Sequence, residues 1–489
     1  VVGGGGGGGM SPPSGGSASS PLSPPSSAST ARSTTKTAAA AAAAAATATA
    51  MTATKDPEDL NYDGTSSSSM AKSATPPPPP PPPLLTVGVL ADIQYAPIPD
   101  GFSYGGAPRY YRHALVAARV AAEHFEREGV DCVINLGDVI DGKCQEIEKW
   151  TEGEGEASGG GEAVVTANGQ NAEGDEKEER RADDGGTSEG VESGGNGEND
   201  ANPGLTAALE VLDALSAYSR GPVLHAYGNH ELYNLDRAQL SSLLGIPFVT
   251  EPCGELVGYR SSRVLGNGGN GDGNGNGNGG VRFVILDTYD IAVGGRCPST
   301  SKKRLEAERL LARNNPNFPA RENSPEGLDG LRRRYVAFNG AAGRRQLLWL
   351  DETLTRATEE GERVMVLSHN PLHPESSNPV CLAWNYDEVL EVLRRHGGTV
   401  MASFSGHAHR GGYARCEESG IHFRVFEAAL ESDDPVRTYG FVDVHEDRVV
   451  VRGEGDCMSA VYDLDHMTGR GWEGVGAKNG GADGVRAKI

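Results

Sequence analysis

Apolar positions along this 489-residue chain follow two alternating patterns. Short branched runs bounded by turn residues read as strands, and longer stretches with a period near 3.6 read as amphipathic helices. Strands are predicted at 86–91, 132–136, 222–227, 281–286, 364–368, 400–404, 421–426, 439–444 and 448–451. Helices are predicted at 110–128, 205–218, 344–357 and 386–395. The two types alternate early and strands run together late, which predicts an α/β domain of layered α+β character. No repeat of solenoid length is visible.

The patterning fails in four places. Residues 1–83 pass through poly-Gly, Ser/Pro, Ala/Thr and poly-Pro sequence, ending on eight consecutive prolines. So few aromatic and branched residues cannot bury enough apolar area to offset the entropy of ordering, and a disordered tail is expected. Up to Thr54 this tail has no acidic residue and only Arg32 and Lys36 as bases. It loosely resembles an organelle transit peptide, with arginine sparse for one. A disordered acidic insert is expected at 145–203: residues 146–200 hold 17 Asp and Glu against 4 Lys and Arg, a net of -13. A Gly/Asn loop at 266–280 and a Gly-rich disordered tail at 469–489 complete the set. One domain over 84–468, interrupted twice, is what remains.

Composition narrows the function classes. Gly 68 and Pro 29 are raised by the biased segments, which hold a little over half of them. A formal charge of -23 argues against a phosphate-backbone partner, because nucleic-acid binders cluster Lys and Arg. Seven cysteines, odd in number and never in a Cys-x-x-Cys pair, fit neither a disulfide scaffold nor a thiolate zinc site and point to a reducing, cytoplasmic setting. The longest apolar run is nine alanines, short of the roughly 18 residues of a membrane span.

Chemistry concentrates where strands end. Five predicted strands run directly into Asp92-Ile93-Gln94, Gly137-Asp138-Val139-Ile140-Asp141, Gly228-Asn229-His230-Glu231, His369-Asn370-Pro371 and Gly406-His407-Ala408-His409. Carboxyl ends of neighbouring strands converge on one crevice in open α/β sheets. Asp92, Gln94, Asp138, Asn229, His369, His407 and His409 form a mixed oxygen and nitrogen donor set without thiolate, suited to hard or borderline divalent ions. Seven candidates exceed one tetrahedral ion, whereas two ions sharing a carboxylate use them all. Two-metal sites generate hydroxide at neutral pH and clamp a phosphoryl group.

In this order the motifs resemble those of the calcineurin-like metallophosphoesterases, in which the first motif is usually Asp-x-His. Gln94 stands here instead. That departure, with Leu286-Asp287-Thr288-Tyr289-Asp290, Phe338-Asn339-Gly340 and Trp384-Asn385-Tyr386, resembles the manganese-dependent ADP-ribose/CDP-alcohol diphosphatases over roughly 84–451. The resemblance implies a four-layer fold with a central β-sandwich flanked by helices and two divalent ions, Mn²⁺ preferred and Mg²⁺ possible. It implies hydrolysis of a small-molecule nucleotide diphosphate at its pyrophosphate linkage. Asp92, Gln94, Asp138 and His409 would hold the first ion, and Asp138, Asn229, His369 and His407 the second. Asp138, as the bridge, and His230, donating to the phosphoryl group or its leaving oxygen, would be the catalytic pair.

Other positions carry two readings each. Glu231 either orients His230 or closes its turn, and Asp141 either steadies a neighbour or is an ordinary turn carboxylate. Phe102 and Tyr104 suit stacking on a base, and Arg109 and Arg112 suit a second phosphate, with Arg112 equally suited to a helix-surface salt bridge. His373 lines the pocket or is a loop histidine without a role. Another metallophosphoesterase activity, on monoesters or cyclic nucleotides, uses the same scaffold. A non-catalytic scaffold protein is expected to lose ligands, and all seven are here.

Overall fold

The computed structural model describes residues 81–103, 105–147, 202–266, 280–296, 300–433 and 436–468. The bulk of the N-terminal tail, the acidic insert and the Gly/Asn loop, and all of 469–489, lie outside the described residues. Two ends of the expected insert are inside: a 3-10 turn spans Gly142–Glu146, and the next helix starts at Pro203. Asn202 caps that helix, accepting from the N–H groups of Gly204 and Leu205, and Pro203 suits its first position.

Two six-stranded sheets stack face to face. The first has the order β14-β13-β12-β1-β4-β5, with β1 (Leu85–Leu90), β4 (Cys132–Asn135), β5 (Val223–His225), β12 (Tyr439–Val444), β13 (Arg448–Glu454) and β14 (Ala460–Asp463). The second has the order β10-β11-β9-β8-β7-β6, with β6 (Arg260–Leu265), β7 (Gly280–Ile285), β8 (Arg363–Leu367), β9 (Val400–Ser405), β10 (Arg410–Arg415) and β11 (His422–Glu427). In the first sheet β1, β4 and β5 run parallel, and in the second β7, β8, β9 and β11 do. A separate two-stranded ribbon pairs β2 (Gly101–Phe102) with β3 (Pro108–Arg109).

Period-two alternation divides the apolar residues between two sides of each strand. Val87 and Val89 of β1, Phe283 and Ile285 of β7, Met365 and Leu367 of β8, and Phe404 of β9 fill the space between the sheets. Val364 and Val366 face the other way, onto Leu350 and Leu354 of helix 344–359 and Val389 and Leu393 of helix 386–395. The outer side of the first sheet is covered by helices 111–128 and 203–215, through Phe125, Ala118, Val211 and Leu215. Gly88 admits the Phe125 ring, since a Cβ there would lie 2.7 Å from it. The result is the expected layered fold, a central sandwich with helices on both sides. Among the described residues no helix is long and apolar enough to cross a membrane.

Candidate metal centre

Parallel strands place their carboxyl ends along one rim. There β1 leads into Asp92 and Gln94, β4 into Asp138, β5 into Asn229 and His230, β8 into His369, and β9 into His407 and His409. Among the described residues, Asp92, Gln94, Asp138 and His407 are the non-glycine positions with positive φ, at 50°, 44°, 57° and 67°. Such conformations cost on the order of 1–3 kcal/mol each and concentrate at functional sites. Two glycines make room for them: a Cβ on Gly228 would lie 2.0 Å from Asp138 Oδ1, and one on Gly406 would lie 2.5 Å from Asp92 Oδ2.

The side chains then meet. His369 Nε2 lies 3.2 Å from Asp138 Oδ2 and 3.1 Å from His407 Nδ1, and donor atoms of these three residues all fall within 4.8 Å of one another. His409 Nε2 sits 3.5 Å from Asp92 Oδ1. Backbone N–H groups fix the carboxylates: His230 donates to Asp138 Oδ1 at 2.9 Å, and His407 donates to both Asp92 oxygens at 3.1 and 2.9 Å.

Each imidazole is aimed by its outer nitrogen. His369 Nδ1 donates to the Leu136 carbonyl at 2.8 Å, and His407 Nε2 to Asn339 Oδ1 at 2.8 Å. His409 Nδ1 donates to Glu431 Oε1 at 2.8 Å. The acceptors set the tautomers, so each neutral ring turns a lone pair inward. Lone pairs facing each other and a carboxylate oxygen at this range repel unless a proton or a cation lies between them. This donor set therefore fits divalent ions.

The same crowding shifts the titrating groups. Burial alone would push the Asp138 carboxyl up, but His369 and His230 beside it hold it well below the usual carboxylate range. Burial would lower His369, yet Asp138 raises it to about 9. Burial, followed by His369, drives His407 well below its usual value. Burial raises Asp92 against the pull of His409.

Comparison with known proteins follows the same line. The calcineurin-like phosphoesterase family matches residues 191–411. A manganese-dependent ADP-ribose/CDP-alcohol diphosphatase of rice (Oryza sativa subsp. japonica) is 32% identical, covering 76% of this chain and 91% of the relative. Its counterpart in Arabidopsis thaliana is 31% identical, covering 78% and 97%. The crystal structure of a dimetal phosphatase from Danio rerio aligns with TM-score 0.61 at 30% identity, covering 78% of this chain and 99% of that one. This chain belongs to the manganese-dependent ADP-ribose/CDP-alcohol diphosphatases. It is accordingly a metal-dependent phosphohydrolase.

In this diphosphatase family member the remaining expected site residues fall in different places. Gln94 reaches the centre, but its Oε1 accepts from Arg109 at 2.7 Å, while its Nε2 faces Asp138 Oδ2 at 2.9 Å and His409 Nε2 at 3.1 Å. Presenting the oxygen to an ion means turning the amide and setting its NH₂ against the guanidinium. His230 Nδ1 accepts the Gly142 N–H at 2.8 Å, which leaves the proton of the neutral ring on Nε2, 3.9 Å from Asp138 Oδ2. Asp141, not Glu231, stands beside that ring, its Oδ2 being 3.3 Å from Nδ1. Glu231 accepts the Val139 N–H at 3.0 Å, and burial next to Asp138 raises its pKa well above the usual range.

Arg112 points to solvent from helix 111–128, Phe102 is 71% exposed, and Tyr104 lies outside the described residues. His373 is buried against Phe423 and accepts the Glu375 N–H. Sequence reasoning missed the roles of Asn339 and Glu431. Asn339 sits in Phe338-Asn339-Gly340, quoted for resemblance alone, and Glu431 carries no motif.

Proposed function

We propose that this chain hydrolyses the pyrophosphate linkage of nucleoside diphosphate compounds, taking ADP-ribose to AMP and ribose 5-phosphate and CDP-alcohols to CMP and a phosphoalcohol. The observation that carries this is the convergence of three imidazoles, each with its outer nitrogen committed to an acceptor, on the Asp92 and Asp138 carboxylates. Asp92, Gln94, Asp138 and His409 are assigned to one ion, and Asp138, Asn229, His369 and His407 to the other. Bound there, two Mn²⁺ ions, or less favourably Mg²⁺, would neutralise the diphosphate and lower the pKa of the attacking water.

The protein supplies position and protons. Asp138, anchored at Oδ1 by the His230 N–H, holds the two donor sets together. His230 carries its proton on Nε2 because Gly142 occupies Nδ1. It donates to the phosphoryl oxygen or the departing phosphate. Asp141 Oδ2 lies 3.3 Å from Nδ1 of that ring. The half-buried Arg109, which already holds Gln94, is placed to meet the second phosphate.

The test is a panel of ADP-ribose, CDP-choline and p-nitrophenyl phosphate with Mn²⁺, Mg²⁺ and Zn²⁺. Turnover of the two diphosphates with Mn²⁺ well above the monoester is expected. Preference for the monoester would sink this reading, and Mn²⁺ binding without turnover of any compound would replace it with a scaffold role.

A further inference from the structure

Leu286-Asp287-Thr288-Tyr289-Asp290 follows β7 and contributes no donor to the assigned centre, yet its tyrosine reaches one. The Tyr289 hydroxyl, on a residue only 2% exposed, donates to Asn229 Oδ1 at 3.1 Å. The other end of that amide, Asn229 Nδ2, donates to the Tyr233 hydroxyl at 3.3 Å. Both ends of the Asn229 side chain are thus held between two tyrosine hydroxyls.

Tyr289 is itself clamped. Its N–H donates to Asp287 Oδ1 at 3.0 Å, and its carbonyl accepts from Arg237 NH2 at 2.6 Å. Arg237 and Asp287 pair at 2.6 Å with their side chains 5% and 0% exposed. Gln346 grips Asp287 from the other side, accepting its N–H at 2.8 Å and donating to its carbonyl at 2.9 Å. A buried ion pair is weak evidence for stability, since desolvation offsets its attraction. What this one produces is geometric: a tyrosine backbone that cannot drift and a hydroxyl fixed on Asn229. Asn229 is short and sits at the first position of helix Asn229–Asn234, but its amide still rotates about χ2 unless held.

We propose that Tyr289 is a positioning residue for Asn229, occupying one lone pair of Oδ1 so that the other points at the second ion. The inference rests on the ligand assignment above. Partners of this kind are worth about 10–100-fold in metal affinity.

Mn²⁺ titrated into the metal-free full-length protein, with free ion read by electron paramagnetic resonance, tests it. The set is wild type, Tyr289→Phe, Asn229→Ala and the double variant, with Tm of each metal-free protein recorded. Tyr289→Phe should weaken one Mn²⁺ site about tenfold and leave the other site and the metal-free Tm near wild type. The double variant should bind like Asn229→Ala alone. Wild-type Mn²⁺ affinity in Tyr289→Phe, or equal weakening of both sites with a lowered Tm, would overturn the positioning role while the ligand assignment stands. Full affinity at both sites in Asn229→Ala would overturn that assignment and the positioning role with it.

Discussion

The proposed oxygen donors and nitrogen donors of the centre come from different sheets. Asp92, Gln94, Asp138 and Asn229 follow strands of the first sheet, and three of these four have a positive φ. His369, His407 and His409 follow strands of the second, and each ring is aimed through its outer nitrogen by Leu136, Asn339 or Glu431. A carboxylate presents two equivalent oxygens, so backbone N–H groups on one side suffice to aim it. An imidazole has a free χ2 and needs a partner at the far side of the ring. His407 uses both means, with φ 67° and the Asn339 contact. Both sides therefore depend on other segments of the chain, the carboxylates through the His230 and His407 N–H groups and the imidazoles through Leu136, Asn339 and Glu431.

The comparison breaks most severely at the shared carboxylate. Asp138→Asn should lower kcat/KM for ADP-ribose about a thousandfold or more, since several kcal/mol of charge stabilisation are removed. A loss under tenfold at saturating Mn²⁺ would end its bridging role. Next comes the backbone that points it: Gly228→Ala sets a Cβ 2.0 Å from Asp138 Oδ1 and should cost on the order of a hundredfold in activity. Circular dichroism would register whether the fold is kept. On the imidazole side, Asn339→Ala frees the His407 ring and should weaken Mn²⁺ about thirtyfold, measured by calorimetry; unchanged affinity would show that φ alone suffices. Gln94→His sharpens the contrast by placing nitrogen on the oxygen side, and the Mn²⁺ to Zn²⁺ activity ratio should fall severalfold. Equal activity of wild type with both metals would count against that account.

An effect on stability rather than activity is expected away from the proposed donors, in the strand that leads into Asn229. His225 of β5 is buried with Nδ1 unpartnered, and burial, aided by the Arg260 guanidinium, pushes its pKa down to about 3. The folded protein keeps the ring neutral, whereas the unfolded chain protonates it below about 6.5. Its contribution is thus fully present above pH 6.5 and is lost as pH falls toward 3, by about 2 kcal/mol at pH 5. Urea unfolding at pH 7 and pH 5 should show that loss in wild type and a smaller one in His225→Gln. Parallel slopes in the two proteins would remove His225 as the cause.

Much of this was legible in advance, for local reasons. Nine strands were read from branched apolar runs, and eight of these lie inside the two sheets, β5 (Val223–His225) alone being at an edge. The longer strands that escaped, β6 (Arg260–Leu265), β10 (Arg410–Arg415) and β14 (Ala460–Asp463), are edge strands. Arg-Ser-Ser-Arg and Arg-Gly-Gly-Tyr carry the charges and glycines with which sheet edges are blunted, so a search for alternating apolar residues passes over them. Helix Lys302–Asn314 was missed because its charges outnumber the apolar face carried by Ala307 and Leu311. Glu231 and Asp141 each carried two readings, and adjacency in sequence did not decide that Asp141 would lie against the His230 ring while Glu231 accepts the Val139 N–H.

By itself the sequence determined the layered α/β class and the candidate donor residues at five strand ends, because strand, turn and candidate ligand occupy consecutive positions and the chain writes them together. It also determined family membership, through motif order. Only the tertiary structure decided which nitrogen of each imidazole faces inward, that Gln94 turns its oxygen to Arg109, and that Tyr289 grips Asn229. Those depend on hydrogen bonds between segments tens to hundreds of residues apart, and such partners acquire meaning only when two sheets bring them within 3 Å or so of one another.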